Sequence, residues 1–159
     1  MTTPTTLSTR ARLTRNLPTD TIADRLEYAR ISAGLSYAAL AKSACMHREG
    51  IRTSMQQPLR MRSDRFFSVC RIMHADPAWI LYGESPSPPA SLSGHTIGER
   101  LADLRQQLGH GVRHMSTLCG CGSSTTYSHW SIGKCIPTLD SLMRVAHTFG
   151  ISASSFAPE

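Results

Sequence analysis

Shifted by 75 residues, this 159-residue chain meets a second version of itself. Thr21 falls on Thr96, Ile22 on Ile97, Arg25 on Arg100, Leu26 on Leu101, Arg30 on Arg105 and Gly34 on Gly109, six identities in fourteen positions. Farther along the offset becomes 76, where Asp64 meets Asp140, Phe66 Leu142, Phe67 Met143, Val69 Val145 and Met73 Phe149. One extra residue therefore sits in the second copy, most simply in the stretch Gly120-Cys-Gly-Ser123. A repeat of this length narrows the fold sharply. Two small units of similar plan, each with its own apolar face, replace one larger domain.

The plan of one copy is read from residues 21–83. Ile22, Leu26, Ala29 and Ala33 recur at helical spacing, Asp20 or Thr21 can cap that helix, and Gly34 ends it. Leu35 to Met55 then reads as a helix capped by Ser36, a tight turn at Cys45-Met46, and a second helix anchored by Ile51. That arrangement leaves Arg48, Glu49, Arg52, Thr53 and Gln56 pointing outward. Two short helices at a sharp turn, the second with a polar outer face, match the plan of a DNA reader. A fourth helix is predicted from about 63 to 74 on Phe66, Phe67, Val69, Cys70 and Met73, and a short fifth from Asp76-Pro77 through Trp79, Ile80 and Leu81 to Gly83. The second copy, 96–157, repeats the apolar face with Ile97, Leu101, Leu104 and Leu108. The fold class expected is all-α, with two tandem five-helix domains.

Outside the copies the composition changes. Residues 1–20 are Thr-rich, carry Arg10, Arg12 and Arg15, and show poor periodicity. They read as a mobile arm, either a disordered tail or a basic segment that follows phosphates or a minor groove. Residues 84–95, rich in Pro and Ser, read as a linker.

The net charge of +6 suits an anionic partner. It is unevenly spread: residues 22–84 hold nine Arg or Lys against six acids, and 97–159 hold five against four. Five cysteines without an even framework or a secretory leader point to a reducing interior, and no apolar run approaches the roughly 18 residues of a membrane span, so the expectation is a soluble cytoplasmic protein. Cys119, Cys121 and Cys135 with His110, His114 and His129 invite a zinc reading, but C-x-C lacks the usual pair spacing and small buried thiols account for them better. Gly109-His-Gly111 and Gly120-Cys-Gly122 are isolated pairs, not a phosphate loop. Neither an enzyme nor a cofactor is expected.

Ser124-Thr-Thr-Tyr-Ser-His-Trp130, followed by Ile-Gly-Lys134, Pro137 and Leu139-Asp-Ser-Leu142, resembles the lambda repressor/Cro-like (XRE-type) helix-turn-helix regulators. The first copy resembles them in Leu40-Ala41, Ile51 and the ending Asp76-Pro-Ala-Trp-Ile-Leu-Tyr-Gly83. The resemblance implies base contacts from the start and outer face of each second helix: Arg48, Glu49, Arg52, Thr53 and Gln56 in the first copy, and Ser124, Thr125, Ser128 and His129 in the second. Arginine can take guanine bidentately and Glu can accept from cytosine. It also implies phosphate contacts at Ser36, Tyr37, Arg60, Arg62 and Lys134. The family's usual turn glycine is Cys45 here. The partner expected is double-stranded DNA. A homodimer, and a protein partner engaged through the second copy as antiactivators or antitoxins engage theirs, stay open as alternatives.

Overall fold

The computed structural model describes residues 19–83 and 91–158, so the arm up to residue 18 and the linker residues 84–90 lie outside the described residues. Among the described residues there are nine α-helices, two 3-10 turns and no strand. None of these helices is long and apolar enough to cross a membrane. They divide into two compact units: described residues 19–58 with 68–83, and 59–67 with 91–158.

Helix α1 (Ile22–Ser32) starts where the sequence asks it to. The Thr21 hydroxyl accepts from the Asp24 N–H at 3.1 Å, and the Asp24 carboxylate accepts from the Thr21 N–H at 3.1 Å. This reciprocal capping satisfies donors that have no partner within the helix. The inner face buries Leu26 and Ala29, with Ile22 and Ala33 half-buried at its ends. Arg25 is buried as well. Its Nε donates to the Ile80 carbonyl at 2.7 Å and its other nitrogens to the carbonyls of Leu81, Thr19 and Asp20. Ile80 and Leu81 lie at the end of α5 (Pro77–Tyr82), whose last carbonyls have no helical partner. Asp76 caps α5, Pro77 opens it, and Trp79 returns to α1 with its ring 5.7 Å from that of Tyr28.

Ser36 caps α2 (Tyr37–Ser43), which buries Leu40 and Ala41. The chain then turns over four residues, with Cys45 at φ +50° and the Met46 N–H donating to the Ala41 carbonyl at 2.9 Å. Helix α3 (Arg48–Gln56) is held by Ile51 and Met55, four residues apart and both buried. A 3-10 turn, Pro58–Arg60, leads to α4 (Ser63–Ile72), and the boundary between the units runs through that helix.

In the second unit Thr96 and Glu99 form the same reciprocal cap on α6 (Ile97–Gln107). Helices α7 (Val112–Leu118) and α8 (Ser124–Ser131) are separated by a five-residue turn, and α9 (Leu139–Thr148) is capped by Thr138. The core gathers Leu101, Met115, Tyr127, Leu139, Leu142 and Phe156, and the Tyr127 hydroxyl donates to the Leu101 carbonyl at 2.9 Å. Helices α1 and α6 have 11 residues each, α2 and α7 seven, and α4 and α9 ten. The four-residue turn before α3 and the five-residue turn before α8 put the extra residue where the change of offset puts it.

Three expectations need revision. The second copy has no fifth α-helix; a 3-10 turn, Ala153–Phe156, stands there instead. Ser152 and Ser154 turn their hydroxyls on each other at 2.7 Å, and such side chains compete with helix continuation, whereas Pro77 starts α5 pre-formed. Leu108 does not complete the apolar face of α6: it is the capping residue beyond the last turn and is 38% exposed. Residues 91–95 of the expected linker are fastened to α6. Leu92 is buried, the Ser93 N–H donates to Asp103, and the Gly94 carbonyl accepts from Arg100.

The N-terminal turns of α4 and α9 are joined by main-chain bonds inside the second unit. The Leu139 N–H donates to the Met61 carbonyl at 2.8 Å, the Ser63 N–H to the Pro137 carbonyl at 3.0 Å, and Arg62 forms an antiparallel bridge with Thr138. The Ser63 hydroxyl adds a 2.9 Å bond to the same Pro137 oxygen.

Candidate nucleic-acid interface

Helix α3 is a one-sided element. With Ile51 and Met55 fixing its inner face, Arg48, Glu49, Arg52, Thr53 and Gln56 are all exposed. Among the described residues no ion pair engages Arg48, Arg52 or Arg60, so their guanidiniums are open to an incoming acceptor. His47, exposed at the start of the helix, adjoins this set and was absent from the sequence-derived one. The signal for it was its place, one residue before the first helical position.

Helix α8 presents a narrower face. Tyr127 is fully buried at its centre, and Thr125 is exposed, while Ser124, Ser128 and His129 are half-buried. The peptide carbonyls of Ser128 and His129 accept from Ile132 and Cys135, drawing the following loop against the helix end. Lys134 in that loop is exposed.

Two of the expected phosphate contacts are otherwise engaged. The Tyr37 hydroxyl donates to the Glu27 carboxylate at 2.7 Å, and the Arg30 guanidinium lies 4.3 Å from the centre of its ring. Arg30 also grips Glu27. The hydrogen bond from Arg30, with a second from Tyr37, outweighs partial burial and holds the Glu27 carboxyl below its usual range. Burial first and the Glu27 bond second push the Tyr37 hydroxyl up. Tyr37 is therefore a strut between α1 and α2. Arg62 forks onto Asp64, with Nε 3.1 Å and Nη2 2.7 Å from the two carboxylate oxygens. Ser36 uses its oxygen as the cap of α2 and keeps its hydroxyl proton, so it can still donate. Arg60 and Lys134 are exposed, as a point contact to phosphate requires.

The cysteines and histidines weighed for zinc are dispersed. Among the described residues no three His, Cys, Asp or Glu side chains converge on a point where a metal could sit. Cys119 is buried, Cys121 half-buried and Cys135 exposed. Burial, with Cys121 close by, pushes the Cys119 thiol up to about 11. His110 and His114 stack edge to face with ring centres 4.5 Å apart.

Neither a family model, nor a curated protein, nor a solved structure matches this chain.

Proposed function

We propose that this chain is a sequence-specific DNA-binding transcriptional regulator built from two tandem lambda-repressor-like helix-turn-helix domains. It acts in the cytoplasm as a repressor that occludes a promoter. One observation carries the reading: α3 is pinned by Ile51 and Met55 while Arg48, Glu49, Arg52, Thr53 and Gln56 share its exposed side. A helix of that width and chemistry fits the major groove, where arginine reads guanine and Glu reads cytosine. Arg60, and Lys134 in the second copy, supply charge to the phosphates without carrying sequence information. Chemistry at a reacting centre forms no part of the proposal.

Selection of bound sequences from random DNA, followed by anisotropy titrations at several salt concentrations, tests this. Enrichment of one motif and a steep fall of log K with log salt are expected. Arg48→Ala should cost roughly 1–3 kcal/mol, confined to one base position. Arg60→Ala should weaken all sequences alike and reduce the salt slope by about 1. Absence of any enriched motif rejects the reading.

A second reading has the surface of the second copy in its favour. The second copy is thin in charge, with five Arg or Lys against four acids, and of its expected base readers only Thr125 is exposed, so it offers phosphates and bases little, while Ile132, directly after α8, is 69% exposed. The second copy then engages a protein partner or a second chain while the first reads DNA. Association that survives Arg48→Ala and is lost in Ile132→Ser favours it.

A further inference from the structure

Beside the end of α8 the second unit holds a half-open cavity of about 260 Å³. One wall is the half-buried Trp130, whose ring is steadied by Tyr127 with 6.3 Å between ring centres. Ile97, Ile136, Pro137 and Pro158 add apolar surface, and the exposed Cys135 lines it as well. The space is not slack packing. At its edge α6 and the end of α8 approach as closely as backbone allows, since a Cβ on Gly98 would lie 2.6 Å from the Trp130 carbonyl oxygen. The remaining walls are tied by hydrogen bonds. The Pro137 carbonyl accepts from the Ser63 N–H at 3.0 Å and from its hydroxyl at 2.9 Å, and the Cys135 N–H donates to the His129 carbonyl at 3.2 Å. Folded interiors keep few voids larger than a water molecule. One held open by such bonds is a preformed seat, and a ligand entering it has little ordering cost to meet.

Size and polarity define what fits. An apolar cavity of about 150 Å³ takes one benzene ring, so this larger one has room for one or two fused rings. Asp64 is the only charged side chain among the described wall residues, and Arg62 already forks onto both of its oxygens. No charge is left over to pair with a ligand's own, and desolvating an ion against apolar walls without a partner is costly. The Trp130 ring offers a face on which another ring can stack. We propose that this cavity binds a small uncharged aromatic molecule of one or two rings, seated against Trp130. Lys134 stands between the wall residues Gly133 and Cys135, so the ligand lies against the loop that the DNA-reading proposal uses for phosphate. The ligand site itself does not rest on that proposal.

The isotopically labelled full chain is titrated with indole, an uncharged two-ring probe, and followed by heteronuclear NMR. Saturable shifts are expected at the amides of Ile97, Gly98, Gly133 and Cys135 and at the Trp130 ring N–H, while the signals of the unit holding Trp79 stay in place. Half-saturation should fall on the order of a millimolar or below, as an apolar probe of this size allows. Indoleacetate, the same rings with a carboxylate, should bind at least about tenfold more weakly. Shifts that spread over both units or never saturate overturn the proposal, as does equal affinity for indoleacetate.

Cys135→Phe adds an independent arm. It puts a ring of the protein's own into the cavity from an exposed position, where folds tolerate change. Indole binding should fall by about tenfold or more in Cys135→Phe, because the space is already taken, and persist in Cys135→Ser. A folded Cys135→Phe protein that binds indole as the parent does overturns the proposal. The titration of the unaltered chain decides the matter whether or not this variant folds.

Discussion

Gly98→Ala, in the first turn of α6, should be destabilising although helix propensity argues for the opposite. Alanine is the better helix former, by up to about 1 kcal/mol. A Cβ at Gly98, however, would lie 2.6 Å from the Trp130 carbonyl oxygen and 3.1 Å from the Gly133 nitrogen. The first distance is about 0.9 Å inside the roughly 3.5 Å at which non-bonded heavy atoms rest. Both atoms belong to backbone at the end of α8, so no side chain can swing aside. Overpacking of this kind costs about 3 kcal/mol at its upper end. Set against the propensity gain, the net loss is about 2 kcal/mol. In a unit of this size that lowers the melting temperature by roughly 8–16 °C. Gly50→Ala in α3 is the matched control: its nearest neighbour would be the His47 Cβ at 3.9 Å, so propensity acts alone and stability should rise by about 0.5–1 kcal/mol. The chain has two tryptophans, one in each unit, so during thermal unfolding the fluorescence of Trp130 in a Trp79→Phe background reports the unit of Gly98, and that of Trp79 in a Trp130→Phe background reports the unit of Gly50. A Gly98→Ala protein that melts at or above the parent temperature refutes the close-approach argument.

Arg25→Met keeps volume and removes four bonds to carbonyls, two of them buried; at about 1.5 kcal/mol for each buried charged bond it should lose about 3 kcal/mol in urea unfolding, and a loss under 1 kcal/mol contradicts the role of Arg25 as the tie to α5. Cys45 sits at φ +50° where the second copy has Gly120 at +64°; Cys45→Gly should gain about 0.5–1 kcal/mol and Gly120→Ala should lose about 1 kcal/mol, and a destabilised Cys45→Gly would falsify the strain assignment. Because folding lowers the Glu27 pKa, the contribution of that carboxylate is present above its unfolded pKa and is lost as pH falls through the lower folded value. Glu27→Gln should therefore melt below the parent at pH 7 and match it near pH 2, and a gap that is constant across that range points to packing instead.

Local signals were the legible ones. Thr21, Ser36, Gly34 and Asp76-Pro77 mark helix ends through chemistry confined to a few neighbouring residues, and the structure uses each of them. The outward set on α3 was readable because it is the complement of Ile51 on a nine-residue helix. What escaped depends on residues far apart in the chain. Arg25 reads as one more charge on a helix until the carbonyls of Ile80 and Leu81 surround it. Tyr37 reads as a surface donor until Glu27, ten residues earlier, accepts its hydrogen bond. On α8, Ser128 and His129 look as free as Arg52 and Thr53 on α3, yet both are half-buried, and their carbonyls accept from the Ile132 and Cys135 amides. The pairing of Arg62 with Thr138 leaves no local mark, since its bonds are main-chain and ask little of either side chain.

The helix caps are unevenly distributed, and this sets an order in time. Helices α1 and α6 are closed at their starts by reciprocal side-chain bonds, whereas no side chain caps α3 at His47 or α8 at Ser123. An uncapped first turn opens more often, so its amide protons trade with solvent deuterium sooner. The opening moments of an exchange experiment will therefore mark the starts of α3 and α8 while those of α1 and α6 stay dark. The start of α7 at Gly111, equally without a side-chain cap, should label with them; of these segments the starts of α3 and α8 are the ones proposed to touch the groove, and a bound duplex will slow those two most.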